Sequence, residues 1–105
     1  MRHQFDVIIL GSGPSASRIA EACSKKLRVA VVESNQPGGT CALRGCNPKK
    51  VLVRAAELID WAQRSDGDLI YAGTPRIDWK QLIDFTKSFT EPVPRKTADK
   101  YDALG

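Results

Sequence analysis

Apolar residues in this chain fall into two kinds of run. Val7-Ile8-Ile9-Leu10 and Val29-Ala30-Val31-Val32 are continuous and rich in β-branched residues. That is the pattern of strands in a parallel sheet covered on both faces, and it predicts strands over 5–10 and 28–33. Between them Ala16, Ile19, Ala20 and Cys23 recur at helical spacing, with Arg18, Glu21 and Lys25 on other faces. Gly11-Ser12-Gly13-Pro14-Ser15-Ala16 separates strand from helix as a tight turn, and Pro14 suits the first turn of a helix. Lys25, Lys26 and Arg28 sit where positive charge complements the helix C-terminus. A strand–turn–helix–strand unit of this kind is almost always parallel and right-handed.

Beyond the second strand the period changes. Asn35 to Thr40, with Pro37-Gly38-Gly39, reads as a loop. Val51, Leu52, Ala55, Leu58, Ile59 and Ala62 then predict a helix from about 46 to 63, ended by Ser65-Asp66-Gly67-Asp68. Leu69-Ile70-Tyr71 is a candidate short third strand. Trp79, Leu82, Ile83, Phe85, Thr86 and Phe89 predict a helix starting near 77–78, interrupted at Glu91-Pro92-Val93-Pro94 and resumed over 95–104. Trp61, Trp79 and the Phe85/Phe89 pair fall on apolar helical positions and are expected in the core, as is the small Cys23. The fold class expected is α/β: a Rossmann-like βαβ unit followed by helices, with an incomplete parallel sheet. Such strands call for neighbours that these residues do not supply, so 1–105 is expected to be the N-terminal part of a larger domain.

Composition narrows the class. The 105 residues are 42% hydrophobic and 27% charged, which argues against disorder, collagen and coiled coil. The apolar runs are far shorter than the ~20 residues of a membrane span, and Asp6 breaks what would be the apolar region of a signal peptide. A soluble, cytoplasmic protein without a membrane partner is expected. Charge is uneven: residues 1–54 hold nine Lys/Arg against three Asp/Glu, and residues 55–105 hold seven against nine. A basic first half suits an anionic ligand. No basic run interleaved with aromatics points to nucleic acid.

The glycine turn carries candidate chemistry. In Gly11-x-Gly13-x-x-Ala16, Gly11 permits the sharp turn, Gly13 lets backbone approach a pyrophosphate, and Ala16 lets helix and strand pack closely. The helix N-terminus offers free N–H groups to phosphate. Glu33 lies 22 positions after Gly11, near the ~20 at which an acidic residue meets a ribose hydroxyl. A carboxylate there would repel a 2′-phosphate, so the expected nucleotide is unphosphorylated at that position.

Cys41 and Cys46 stand in Gly38-Gly39-Thr40-Cys41-Ala42-Leu43-Arg44-Gly45-Cys46-Asn47-Pro48-Lys49-Lys50. Four intervening residues let a turn or helix start bring the sulfurs to bonding distance, and Gly45 removes a side chain between them. A thiol at a helix N-terminus beside Lys49 and Lys50 is expected to favour thiolate. Two buried free thiols, or half of a zinc site, are the alternatives. Zinc needs four ligands, and Cys23 and His3 are poorly placed to complete the set, so no metal site is expected.

Taken together, a GxGxxA turn at the N-terminus, an acidic residue after the second strand and GGTCxxxGCxPxK resemble the FAD-dependent pyridine nucleotide–disulfide oxidoreductases. That family includes glutathione reductase, dihydrolipoamide dehydrogenase and mercuric reductase. The resemblance is strong through about residue 60 and looser afterwards. It implies that Gly11, Ser12, Gly13, Pro14, Ser15 and Ala16 surround the FAD pyrophosphate, and that Glu33 holds the adenosine ribose. Gly39, Thr40, Gly45 and one of Lys49 or Lys50 would line the flavin and its phosphates. It further implies a redox-active Cys41–Cys46 disulfide, with Cys41 exchanging with substrate and Cys46 touching the flavin. Electrons would pass from NAD(P)H through FAD to this disulfide, then to a small-molecule or protein disulfide.

The Pro48-Lys49-Lys50 ending resembles glutathione reductase more than the Pro-Ser-Lys ending common in dihydrolipoamide dehydrogenases. Family members are several times longer and homodimeric, with nicotinamide and interface domains and a general-acid histidine in the last of these. His3 matches no such motif and is expected to be an exposed terminal residue. The 105 residues alone are therefore expected to lack turnover. A second reading is a stand-alone adenine-nucleotide-binding or thiol-switch module.

Overall fold

The computed structural model describes residues 2–105. The order is β1 (Val7–Leu10), α1 (Pro14–Cys23), β2 (Val29–Val32), α2 (Gly39–Arg44), α3 (Cys46–Ser65), α4 (Trp79–Thr90) and α5 (Val93–Leu104). β1 and β2 pair in parallel, Val7 beside Val29 through Leu10 beside Val32, and the Gly11 N–H extends the pairing to the Val32 carbonyl at 2.7 Å. The expected strand–helix–strand unit is present within two residues at each end.

Alternation along the strands decides which face is covered. Val7, Ile9, Val29 and Val31 turn to one side, where Ala16 and Ala20 of α1 and Tyr101 and Leu104 of α5 pack on them. The small alanines bring α1 down onto the sheet, and Ala20 is only 2% exposed. The opposite face carries Ile8, 62% exposed, and Leu10, 82% exposed, together with Val32. The strands have the sequence of buried ones, but within these residues the sheet is incomplete, as expected, and only one face meets a helix.

α3 and α4 pack together as a helical pair projecting from this body. Twenty residues of α3 make a rod of about 30 Å, and the molecule extends 70 × 23 × 19 Å. Asp78 caps α4 by accepting the Gln81 N–H at 3.0 Å, a preferred N-cap arrangement.

Three expectations are corrected. The segment 35–40 is not all loop, because α2 already begins at Gly39. Leu69-Ile70-Tyr71 forms no strand: Ile70 makes a single bridge to Asp66, whose carboxylate also accepts the Ala72 N–H. The five residues between Gly67 and Gly73 turn back on themselves rather than reach the sheet. Trp61, Trp79, Phe85 and Phe89 are exposed rather than core. Thr86 is buried and donates to the Leu82 carbonyl, while the exposed Phe85 and Phe89 meet edge to face at 5.0 Å, Phe85 beside an open groove with Val51, Ala55 and Leu58 of α3.

Overpacking the closest helix–sheet contact with Ala20→Leu should lower unfolding stability by about 1–3 kcal/mol. Leu69→Ala, at an 85% exposed site, should change it by less than about 0.5 kcal/mol. Urea denaturation followed by circular dichroism separates the two; equal effects would contradict this placement of the core.

Candidate redox and nucleotide site

The site is built where two glycine segments meet. Gly13 is the N-cap of α1, and Gly39 opens α2 with φ +79°. A side chain on Gly39 would place its Cβ 2.6 Å from the Gly13 Cα, a separation that real Cβ atoms do not reach. The two backbones therefore touch because Gly39 has no side chain; a Cβ on Gly13 would meet the Gly39 Cα at an ordinary 3.7 Å. The loop from β2 can then deliver Cys41 directly beside the glycine turn.

Cys41, half-buried in α2, is disulfide-bonded to Cys46, the exposed first residue of α3, with their Cα atoms 4.6 Å apart. Gly45 between the helices makes this approach possible: a Cβ there would lie 3.0 Å from the Thr40 carbonyl oxygen and 3.3 Å from the Cys41 Cα. In this oxidised state neither Cys41 nor Cys46 is a free thiol. Cys23 is a half-buried free thiol. Thr40, Lys49 and Lys50 are exposed around the disulfide, and His3 is exposed at the far end of the sheet.

The turn itself is held by Ser12, which is 4% exposed. Its N–H and its hydroxyl both donate to Glu33 Oε2, and its Oγ accepts the Gly38 N–H at 3.0 Å. Its carbonyl accepts the Tyr101 hydroxyl at 3.3 Å. Glu33 Oε1 accepts the Asn35 N–H at 3.0 Å. These donors, the Ser12 hydroxyl foremost, hold the Glu33 carboxyl below its usual value of 4.5. Gly11, Gly13, Pro14, Ser15 and Glu33 thus lie around one turn, with Ala16 buried behind it, but the Ser12 donors point to Glu33 rather than outward.

α5 supplies residues that sequence reasoning missed. A cleft of about 160 Å³ lies between Ser12, Gly13, Pro14 and Ser17 on one side and Gly38, Thr97 and Lys100 on the other. Lys100 Nζ donates to Ser17 Oγ at 2.6 Å and pairs with Glu21 Oε1 at 2.5 Å, which keeps the Glu21 carboxyl below its usual value. No motif marks Thr97, Lys100 or Tyr101; only the return of α5 onto α1 places them there.

A carboxyl whose folded pKa is depressed stabilises the fold above its unfolded value and loses that contribution as pH falls through the lower one. The stability difference between the parent protein and Glu33→Gln should therefore be full at neutral pH and shrink as pH drops below 4.5. Urea midpoints across that range test this. A difference independent of pH would contradict the charged Glu33–Ser12 arrangement.

Comparison with known proteins places this geometry. No family model matches the chain. It is 40% identical over 81 residues to a dihydrolipoyl dehydrogenase of Mycoplasma genitalium, covering 75% of this chain and 18% of the relative. It is 39% identical over 85 residues to that of Rhizobium etli, covering 79% and 18%, and 42% identical over 67 residues to that of Bacillus subtilis, covering 63% and 14%. The chain thus spans less than one fifth of the length of these relatives. They carry the name of the branch from which the Pro48-Lys49-Lys50 ending points away, so that ending is no guide to substrate here. A glycine turn, an acidic residue closing β2 and a disulfide across Gly45, together with these relatives, make the chain a member of the pyridine nucleotide–disulfide oxidoreductase family.

Proposed function

We propose that these residues form the Rossmann-like, FAD-binding and disulfide-bearing part of a flavoprotein disulfide oxidoreductase. The observation that carries this reading is the contact of Gly39 with Gly13, which sets the disulfide helix against the nucleotide turn. The residues fit such a group: Gly13 and the first turn of α1 face an open cleft, and Glu33 stands charged at the end of β2. The cleft has room for a phosphate-sized portion only, small beside the roughly 300–1,000 Å³ of a whole-ligand site. The adenine and flavin ends would therefore need surface from outside these residues.

Gly11, Gly13, Pro14, Ser15 and Ala16 would hold the diphosphate of FAD, Glu33 the adenosine ribose, and Gly39, Thr40, Gly45, Lys49 and Lys50 the flavin side. FAD would supply the route by which an electron pair moves between NAD(P)H and the protein disulfide.

The sulfur chemistry belongs to this chain. With the pair reduced, the Cys41 thiolate attacks a substrate disulfide and one substrate thiol leaves. The Cys46 thiolate then attacks the Cys41 sulfur, expels the second thiol and restores the Cys41–Cys46 bond. The protein dithiol is oxidised, the substrate disulfide is reduced, and the two cysteine protons pass to the departing thiols. Run in reverse, the same exchange oxidises a dithiol such as a dihydrolipoyl group, the substrate named in the relatives. The N-terminus of α3 stabilises negative charge on Cys46 in either direction. Cys46 is the more exposed of the two residues here; a flavin ring laid over it would leave Cys41 to meet substrate. The complete reaction would further require nicotinamide and dimer-forming domains and a proton-transferring histidine.

ADP, which carries the diphosphate and ribose of the adenosine half of FAD, should give saturable amide shifts centred on Gly13, Ser15 and Glu33. Adenosine 2′,5′-bisphosphate should bind at least about tenfold more weakly than adenosine 5′-monophosphate, which has the same 5′ group, because its 2′-phosphate meets the Glu33 carboxylate. NMR titration distinguishes the outcomes. Equal affinity for the bisphosphate and the monophosphate, or shifts confined to α3 and α4, would overturn the assignment.

A further inference from the structure

The glycine turn contains one side chain whose bonding goes beyond what a phosphate cradle needs. A buried serine between two glycines could be replaced by alanine without changing the path of the turn, yet each polar atom of Ser12 has a partner. Its N–H and hydroxyl reach Glu33, its Oγ takes the Gly38 N–H and its carbonyl takes the Tyr101 hydroxyl. With both of its donors on Glu33, Ser12 offers neither of them to a phosphate. Gly38 and Gly39 follow with φ of +127° and +79°. Two successive glycines in that region form the least restrained stretch of backbone available to a chain. Alongside the Gly39–Gly13 contact, the Gly38 N–H bond to Ser12 pins this stretch at the entrance of α2.

We propose that Ser12 is the positioning residue that joins the acidic end of β2 to the entrance of α2, so that the nucleotide turn and Cys41 are held as one rigid unit. The proposal deepens the function proposed above and rests on it for its use in catalysis. Its consequence appears when the disulfide opens. Cys41 is then no longer bonded to Cys46, and the Ser12 bridge remains to keep α2 in place. Holding α2 keeps the two thiols close and so favours re-forming their bond. Ser12 thereby biases the dithiol–disulfide equilibrium from the nucleotide turn, without touching either sulfur.

The equilibrium to measure is protein disulfide plus two glutathione thiols giving protein dithiol plus glutathione disulfide. In Ser12→Ala it should shift towards the dithiol by about two- to tenfold, on the order of the backbone freedom of one residue, because the entrance of α2 is then released in the dithiol while the disulfide still holds it in the oxidised protein. Exchange of the Gly38 amide, read by NMR, should accelerate by a similar factor while that of Ala20 in α1 stays unchanged. Ser12→Thr, which keeps the hydroxyl, should restore both values. An unchanged equilibrium and unchanged Gly38 exchange in Ser12→Ala would overturn the proposal.

A measurement on the unsubstituted protein guards against a variant that fails to fold. The Gly38 amide should remain protected after Cys41–Cys46 is reduced, and loss of its protection on reduction would equally overturn the proposal. These readouts need no nucleotide. Failure to bind ADP would count against the function proposed above, while the exchange data alone decide the role of Ser12.

Discussion

Contact between two stretches of backbone that lack side chains organises this structure. Gly13 begins the helix after β1, Gly39 begins the helix after β2, and their direct apposition fixes where the second helix starts. Position follows from that contact. Cys41 is two residues further along, Gly45 lets α3 begin within reach of it, and the disulfide closes the corner. Electrostatics follow as well, because the loop that reaches Gly39 passes Ser12 and Glu33, whose bonds tie strand end, turn and loop together. A phosphate-sized cleft and a redox-active sulfur pair therefore become neighbours through steric permission, with little help from hydrophobic burial.

Burial elsewhere is sparse, and the amount is informative. The chain exposes 8268 Å², whereas a compact protein of 11.5 kDa exposes roughly 5,800 Å². The surplus of about 2,500 Å² is on the scale of a large obligate interface. Exposed apolar side chains include Ile8, Leu10 and Val32 on the bare face of the sheet, and Leu58, Trp61, Phe85 and Phe89 on the α3–α4 pair. Clustered apolar side chains of this kind mark a surface suited to a partner. The adenine and flavin ends of a bound FAD, which the cleft is too small to hold, would need additional surface too.

Much of this was legible in the residues. Continuous β-branched runs and the glycine turn fixed the first strand–helix–strand unit because each rests on local chemistry: backbone freedom at Gly11 and Gly13, and helical spacing of Ala16, Ala20 and Cys23. The cysteine segment was legible for the same reason, since its requirement is short-range. What was misread depended on distant partners. Trp61, Trp79, Phe85 and Phe89 have the spacing of core residues, but spacing records only that a face is apolar, not whether anything lies against it. Leu69-Ile70-Tyr71 has strand residues without a strand to pair with. Lys100, Thr97 and Tyr101 join the site only through the return of α5 onto α1, which no local pattern encodes. Ser12 was visible as part of the turn, but its bonds to Glu33 and Gly38 required the fold.

Whether the nucleotide turn and the disulfide form a single site can be tested by placing a methyl group at their junction. Gly39→Ala should abolish the ADP-induced shifts at Gly13 and leave Cys41 and Cys46 slow to re-form their bond after reduction. Gly67→Ala, also at positive φ but with nothing within 4 Å of the added carbon, should change neither. A Gly39→Ala protein that binds ADP and closes its disulfide as the parent does would contradict the account.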